Sequence, residues 1–191
     1  DPVDLSIDEN YNDDFKEVDE IIMEDLDKCK ASLFLFHGDP GTGKTSYIKS
    51  LVNKVKKKVI YIPPNMVNAF ADSSFIIFLK ETCKNSIILV EDAEDALLSR
   101  NSVAHNQASY NILNFADGFM SSFNLQFICT FNCHESKIDQ ALLRGGRLTY
   151  MYKFGKLNKD KAQALSDKLG YTETITEDTS LATIYNPLLN C

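Results

Sequence analysis

The amino-acid sequence predicts an α/β fold, in which one five-stranded parallel sheet is flanked by helices. Short apolar runs alternate along the chain with segments whose apolar residues recur at helical spacing, as in strand-helix-strand units. A glycine-rich turn at 38–45 lies directly between the first apolar run and a helical pattern. The run Ile87–Val90 is continuously apolar, which is typical of a strand covered on both faces, and it ends in Glu91 and Asp92.

The N-terminal part of the chain precedes the sheet and is rich in acids. Residues 1–10 are polar, and we expect them to be extended. A helix is predicted over Asp13–Cys29, where Phe15, Val18 and Leu26 recur at helical spacing with acids between them. This pattern indicates a packing helix whose acidic face is solvated.

Strands and helices then follow in alternation. Five strands are predicted, at Leu33–His37, Val59–Ile62, Ser86–Val90, Leu125–Thr130 and Thr149–Phe154. The predicted helices are Gly43–Lys56, Phe75–Leu79, Asn106–Phe119, Ile138–Leu143, Leu157–Leu169 and Thr179–Tyr185. Because helices alternate with the strands, the strands are expected to run parallel.

The glycine-rich turn matches the phosphate-binding loop, in which G, four residues and G-K-[ST] connect a strand to a helix. Its residues are Gly38, Asp39, Pro40, Gly41, Thr42, Gly43, Lys44 and Thr45, and Ser46 continues into the helix. The glycines let the backbone approach phosphates closely, and the N–H groups of the helix N-terminus attract the anion. Lys44 is predicted to contact the β- and γ-phosphates, and the Thr45 hydroxyl to bind Mg²⁺.

The acids that end the third strand are predicted to act on the same nucleotide. Open α/β sheets bind ligands at the carboxyl ends of their strands, so Glu91 and Asp92 should lie beside the phosphate-binding loop. One carboxylate is expected to hold Mg²⁺ through water, and the other to orient the attacking water or accept its proton. The alternative is a solvated acidic turn.

Two further groups follow the fourth strand. Asn132 comes shortly after it and is a candidate to contact the γ-phosphate or position water, with Thr130 as an alternative. Arg144 and Arg147 lie three apart on a glycine-rich turn. The planar, permanently charged guanidinium suits phosphate oxygens, so both arginines are predicted to contact the phosphates of a nucleotide.

Together these motifs resemble the AAA-type ATPases of the AAA+ superfamily, which are P-loop NTPases. The matching segments are Gly38–Thr45, Ile87–Asp92, Ile112–Gly118, Asn132 and Ile138–Arg147. The order Glu-Asp at 91 and 92, where most members have Asp-Glu, resembles the subgroup of Bcs-type ATPases. The resemblance covers residues 11–167 and implies the sheet order 5-1-4-3-2.

The resemblance also implies roles for the acids and their neighbours. Lys44 and Thr45 would bind nucleotide and metal. Glu91 stands at the position of the metal-binding acid and Asp92 at that of the catalytic acid. Asn132 would be the sensor residue.

Two further implications concern the surroundings of the nucleotide. Arg144 and Arg147 would be arginine fingers that reach the nucleotide of a neighbouring subunit, which implies a homo-oligomeric ring. In such ATPases the adenine ring often lies against the segment before the first strand, which makes Tyr11 a candidate adenine contact.

The predicted function is Mg²⁺-dependent hydrolysis of ATP to ADP and phosphate by an oligomeric module that remodels a protein or nucleoprotein partner. Three departures from the family leave alternatives open. Residues 63–72 lack an aromatic-hydrophobic-glycine triplet, no arginine follows Arg147, and the C-terminal helical lid is short. The alternatives are an ATP-binding scaffold with little turnover, a nucleic-acid-directed loader and, less favoured, a P-loop kinase.

The length of 191 residues predicts one main domain with a small appendage. The resemblance implies that these are a large α/β ATPase domain at 1–155 and a partial helical lid at 156–191. The large domain includes the N-terminal acidic segment and helix at 1–31. Because the chain starts with Asp1-Pro2, we expect a processed product or a piece excised from a longer protein.

Charge and composition limit the classes of partner that the chain is expected to bind. The net charge of −7 argues against direct nucleic-acid binding, and no apolar run is long enough to span a bilayer. The five cysteines are odd in number and scattered. We expect them to be reduced thiols rather than zinc ligands, in a reducing, cytoplasmic compartment.

Overall fold

A parallel sheet is the frame of the fold in the residues that the computed structural model describes, which are 5–93, 123–138, 143 and 148–187. Its strands are β1 Ser32–His37, β2 Val59–Tyr61, β3 Ile87–Val90, β4 Gln126–Phe131 and β5 Tyr150–Lys153. All neighbouring strands pair in parallel. Their order is β2-β3-β4-β1-β5, which is 5-1-4-3-2 when read from the other edge. The predicted fold class is therefore confirmed.

Strand β1 lies in the middle of the core and contributes to both of its layers. Leu33 and Leu35 pack into one apolar cluster, and Phe34 and Phe36 pack into a second cluster on the opposite face. Successive side chains of a strand point to opposite faces of the sheet, so a continuously apolar strand has to be covered on both sides.

Helices cover the sheet within the described part of the chain. They are α1 Ile7–Asn10, α2 Asp14–Asp27, α3 Lys44–Lys54, α4 Ser73–Thr82, α5 Lys159–Lys168 and α6 Leu181–Tyr185, with 3-10 helices at Pro64–Ala71 and Glu135–Lys137. Side-chain caps set several starts: Asp72 accepts from the Ser74 N–H, Asn158 from Lys161 and Ser180 from Thr183. Among these helices, none has the length and apolar composition needed to cross a membrane.

Two segments differ from the sequence-based expectation. Residues 7–10 form one helical turn instead of an extended segment, because the N–H groups of Asn10 and Tyr11 bond back to the carbonyls of Ser6 and Ile7. Residues 64–71, for which no regular structure is predicted from the sequence, form a 3-10 helix. The helix predicted at 106–119 and most of the one predicted at 138–143 lie outside the described residues.

An aromatic cluster joins the N-terminal segment, α3 and β5. The ring of Phe15 has its centroid 4.6 Å from that of Tyr11, 4.7 Å from that of Tyr47 and 5.0 Å from that of Phe154. Such tilted and edge-to-face pairs add to the stability that burial of the rings provides. The cluster therefore fixes the segment before β1 and the end of β5 beside the start of α3.

Candidate functional site

The loop between β1 and α3 is held tightly by its neighbours at two glycines. Gly38 has a φ of 141°, and a Cβ there would lie 2.1 Å from the carbonyl oxygen of Phe154. Gly43, directly before α3, has a φ of 95°, and a Cβ there would lie 2.6 Å from Leu181 Cδ1. Both positions require glycine, because of the backbone conformation and because of the contact.

Lys44 is buried, and its ammonium lies inside the loop. Nζ donates to the carbonyl oxygens of Gly38 and Asp39, both at 2.9 Å. Thr45 and Ser46 are exposed on the first turn of α3, where N–H groups point beyond the helix end. The charge of Lys44 and the positive end of the α3 dipole thus meet at one loop, an arrangement that attracts phosphate.

The other loop residues complete the turn. Asp39 and Pro40 are exposed, whereas Thr42 is buried and its hydroxyl donates to the Asp39 carbonyl at 2.8 Å. The carbonyl of Gly41 accepts a hydrogen bond of 3.0 Å from the N–H of Ala182, in α6. The C-terminal segment therefore contacts the loop backbone directly.

A cavity of about 370 Å³ opens beside the loop. Besides loop and α3 residues 41 and 43–46, its lining includes Leu5, Asn10, Asn132, Leu181, Tyr185 and Asn186. This volume is within the range of cavities that bind small molecules. The cavity brings the predicted loop residues and Asn132 together, whereas Glu91 and Asp92 do not line it.

Asp92 lies behind Asn132, at the carboxyl ends of β3 and β4. Its φ of 51° is a left-handed conformation, which Asp and Asn adopt more readily than other residues besides glycine. Its N–H donates to Thr130 Oγ1 at 3.0 Å, and its Oδ1 accepts from Asn132 Nδ2 at 2.7 Å. Thr130 and Asn132, which were alternatives for one role, therefore contact the same acid through different atoms.

Glu91 has a buried carboxylate oxygen. Among the described residues, its Oε1 has no hydrogen-bond partner, which is an unfavourable state for a buried polar atom. Mg²⁺ is commonly bound by one or two carboxylates together with water and phosphate oxygens. Glu91 and the Thr45 hydroxyl thus offer the kind of oxygen donor that Mg²⁺ prefers. Across the described residues, no group of three or more His, Cys, Asp or Glu side chains is arranged to hold a metal by itself.

Tyr11 supports the loop and does not line the cavity. Its side chain is 5% exposed, and its hydroxyl donates to the Gly43 carbonyl at 2.9 Å. Burial raises the pKa of Tyr11 far above its ordinary value, so the hydroxyl remains a donor. Its ring is covered by Phe15 and is not available to stack on adenine, so the suggested contact is not supported. Leu5 and Asn10, from the same segment, line the cavity instead.

The sequence reasoning missed the polar contacts between the chain ends. The hydroxyl of Tyr185 donates to Asn10 Oδ1 at 2.6 Å, so the two residues form one wall of the cavity. Neither residue belongs to a motif. They lie 175 residues apart in the sequence and meet only in the folded chain. Arg144 and Arg147 lie outside the described residues.

Comparisons with known proteins identify the family. Residues 34–156 match the ATPase family associated with various cellular activities (AAA). An AAA-ATPase of Arabidopsis thaliana is 33% identical over 125 residues, which is 60% of this chain and 25% of that protein. The mitochondrial chaperone BCS1 of Bos taurus is 29% identical over 124 residues, 60% of this chain and 29% of that protein.

A third relative gives the same result. The human mitochondrial chaperone BCS1 is 28% identical over 124 residues, again 60% of this chain and 29% of that protein. The chain thus spans between 25% and 29% of the length of these relatives.

Proposed function

The chain belongs to the ATPase family associated with various cellular activities, and on that premise we propose that it binds ATP beside the loop at 38–45 and hydrolyses it with Mg²⁺. The observation that carries this proposal is the meeting of the loop, Asn132 and the cavity, with Asp92 hydrogen-bonded directly behind Asn132. ADP and phosphate would be the products.

The loop and α3 bind the phosphates in this proposal. Backbone N–H groups at the start of α3 face the phosphate oxygens. The ammonium of Lys44, which now donates to the carbonyls of Gly38 and Asp39, moves to the β- and γ-phosphates when nucleotide enters. One set of acceptors replaces another, so the charge never becomes buried without partners.

Glu91 and Thr45 are the residues that would hold Mg²⁺ in this proposal. When bound, the ion supplies positive charge that neutralises phosphate oxygens and fixes their orientation. The buried Oε1 of Glu91 has no partner among the described residues, and it would acquire one, either the ion or a water of the ion.

Asp92 orients the attacking water and accepts its proton. Two hydrogen bonds hold Asp92, one from its own N–H to Thr130 and one to its carboxylate from the Asn132 amide. Asn132 also lines the cavity, so it connects the acid with the space beside the phosphates. A carboxylate that is already oriented by a hydrogen bond needs less reorganisation in the transition state.

The nucleobase lies toward the wall formed by the chain ends. Leu5 offers an apolar surface, while Asn10, Tyr185 and Asn186 offer polar groups. We assign residues 156–191 to a partial lid and 1–155 to the large domain, since α6 contacts the loop from one side of the cavity.

Assembly extends this proposal to residues outside the described ones. Arg144 and Arg147 act on the nucleotide of a neighbouring subunit in a homo-oligomer, which remodels a protein or nucleoprotein partner. The compartment is proposed to be reducing, since Cys29, Cys83 and Cys129 are free thiols.

A scaffold that binds ATP with little turnover is the second candidate. It is favoured by the order Glu91-Asp92, the reverse of that in most members of the family, and by the short C-terminal lid. A direct role for nucleic acid is not favoured by the net charge of −7.

Steady-state ATP hydrolysis measured against protein concentration tests the proposal. The native chain is compared with Arg144→Ala, with and without Mg²⁺. We expect specific activity to rise with concentration, and this rise to be lost in Arg144→Ala and on chelation of the metal. Tight ATP binding with negligible turnover at every concentration would support the scaffold instead.

A further inference from the structure

The N-terminal segment at 5–13 lies between α5 and the phosphate-binding loop, and one lysine of α5 contacts it at three points. We propose that Lys161 is a positioning residue for nucleotide binding, which holds this segment so that it lines the cavity and supports the loop. The inference rests on the proposed nucleotide site and deepens it.

The ammonium of Lys161 has one acceptor oxygen for each of its three N–H donors. Nζ lies 3.0 Å from the Asp8 carbonyl, 2.9 Å from the Tyr11 carbonyl and 2.6 Å from Asp13 Oδ1. A lysine ammonium has three N–H donors, and all three are satisfied by this one segment. The Lys161 side chain is 22% exposed, which is unusually buried for a lysine.

Two of these contacts carry more weight than the third. The Asp13 side chain is 88% exposed, so solvent screens its attraction for Lys161. The two carbonyls belong to backbone, which loses no side-chain freedom in forming these bonds. Lys161 therefore acts mainly by fixing the path of the backbone between Asp8 and Tyr11.

Two residues of the segment, Tyr11 and Asn10, contact the nucleotide site. Tyr11, whose carbonyl Lys161 binds, donates its hydroxyl to the carbonyl of Gly43 in the loop at 2.9 Å. Asn10, its neighbour, lines the cavity and accepts from Tyr185 at 2.6 Å. Loss of Lys161 would let both contacts shift away from the nucleotide.

Other contacts between the N-terminal segment and residues 156–168 are more exposed to solvent. Lys168 pairs with Glu9 at 2.6 Å, but their side chains are 62% and 42% exposed. Pairs of this kind contribute little to stability. Asn12 exchanges hydrogen bonds with Lys156 and Asn158 at the exposed surface, farther along the chain from the residues that line the cavity. Of these polar links from α5 and the residues before it, the Lys161 bond to the Tyr11 carbonyl is the one made directly beside Asn10.

The experiment measures the affinity of MgADP by calorimetry and the kcat and KM for ATP. It compares the native chain with Lys161→Met, which removes the charge but keeps most of the length, and with Tyr11→Phe, which removes only the hydroxyl. Lys159→Met is the matched control, because that side chain is exposed on the same helix. The double variant of Lys161→Met and Tyr11→Phe completes a double-mutant cycle.

We expect Lys161→Met to raise the ADP dissociation constant and the KM about tenfold, or ~1.4 kcal/mol, with kcat nearly unchanged. Tyr11→Phe should act in the same direction, and the double variant should be no weaker than the worse single one. Lys159→Met should bind as the native chain does.

The possible results distinguish failure of the positioning role from failure of the proposed nucleotide binding. Native affinity in Lys161→Met, or single effects that multiply in the double variant, would overturn the positioning role and leave the nucleotide site intact. A uniform fall in kcat without a change in KM would overturn it as well. Failure of the native chain to bind MgADP would overturn the proposed function together with the inference.

Discussion

At the amino-terminal ends of β1 and β4, buried polar groups pair with one another. The carboxylate of Asp25 accepts from the Ser32 hydroxyl and pairs with Lys30 at 2.5 Å. Gln126 donates to the Asp25 carbonyl at 2.9 Å and accepts from Lys57 at the same distance. This network attaches α2 to the sheet, and a network in which each member has a partner stabilises the fold.

At the carboxyl ends of β1 and β3, two buried side-chain atoms of the described residues lack a partner. Within the described ranges, the buried side-chain atoms that lack a hydrogen-bond partner are His37 Nδ1 and Glu91 Oε1, and both lie at this end. Buried polar atoms without a partner call for an explanation such as a bound ion or a catalytic role. The comparison teaches that the amino-terminal end is stabilised by paired polar groups, whereas the carboxyl end, where we propose that the nucleotide binds, has buried polar atoms without a partner among the described residues.

Asp92→Asn is the change with the largest expected effect and tests the functional end. It should lower the turnover of ATP about 100-fold, because the amide cannot accept a proton from water. Stability should change little, since the amide oxygen can still accept from Asn132. Turnover is measured under saturating ATP, and a variant as fast as the native chain would contradict the catalytic assignment.

Asp25→Ala tests the stabilising end. We expect the free energy of unfolding to fall by about 2–3 kcal/mol, because Ser32 and Lys30 lose their charged partner. Turnover at a temperature where the variant is folded should be unaffected. Urea unfolding measures the change, and Asp27→Ala, on the exposed side of α2, is the control. Equal losses in both variants would mean that the network contributes nothing specific.

Glu91→Gln should stabilise the metal-free protein, whereas Asp25→Ala destabilises it. A neutral amide in place of the unpaired carboxylate should raise the free energy of unfolding by on the order of 1 kcal/mol. The concentration of Mg²⁺ needed for half-maximal turnover should rise. Glu81→Gln, at an exposed position of α4, controls for charge, and a destabilised Glu91→Gln would remove the contrast between the two ends.

His37 provides the smallest expected effect, which depends on pH. Burial lowers the pKa of His37 below its ordinary value of 6.5, and the nearby charges of His134 and Lys153 act in the same direction, while Glu135 at 3.8 Å opposes them. The unfolded chain therefore binds the proton more readily, so stability is full above the ordinary pKa and falls as pH drops through it.

His37→Phe should reduce this pH dependence. Urea midpoints measured at pH about 7.5 and about 5.5 give the difference for each protein. A His37→Phe variant that loses as much stability on acidification as the native chain would show that other groups titrate.

Much of the fold follows from local patterns. The strand β1, the loop and α3 are contiguous, so their apolar runs, glycines and Lys44 predict the unit without knowledge of the rest. The bounds of most strands differ from the predicted ones by one residue. The turn at 7–10 was missed, because four residues carry too little periodicity to indicate a helix.

The candidate site was predictable only where a motif spans it. The loop and Asn132 do meet at one cavity, and Asp92 does contact Asn132, as parallel strands ending at one edge require. The role of Tyr11 was not predictable, because the sequence indicates where a tyrosine stands and not whether its ring is covered. Its burial results from Phe15, Tyr47 and Phe154, which come from three different elements.

The sequence by itself determined the parallel sheet, the phosphate-binding loop and the acids after β3, since each depends on neighbours within a few residues. Only the tertiary structure decided which chain segments form the wall of the cavity and what holds them. The contact of Lys161 with Tyr11 joins residues 150 apart. A contact of that kind leaves no periodic trace in the sequence, because it depends on where two separately formed segments pack against the same sheet.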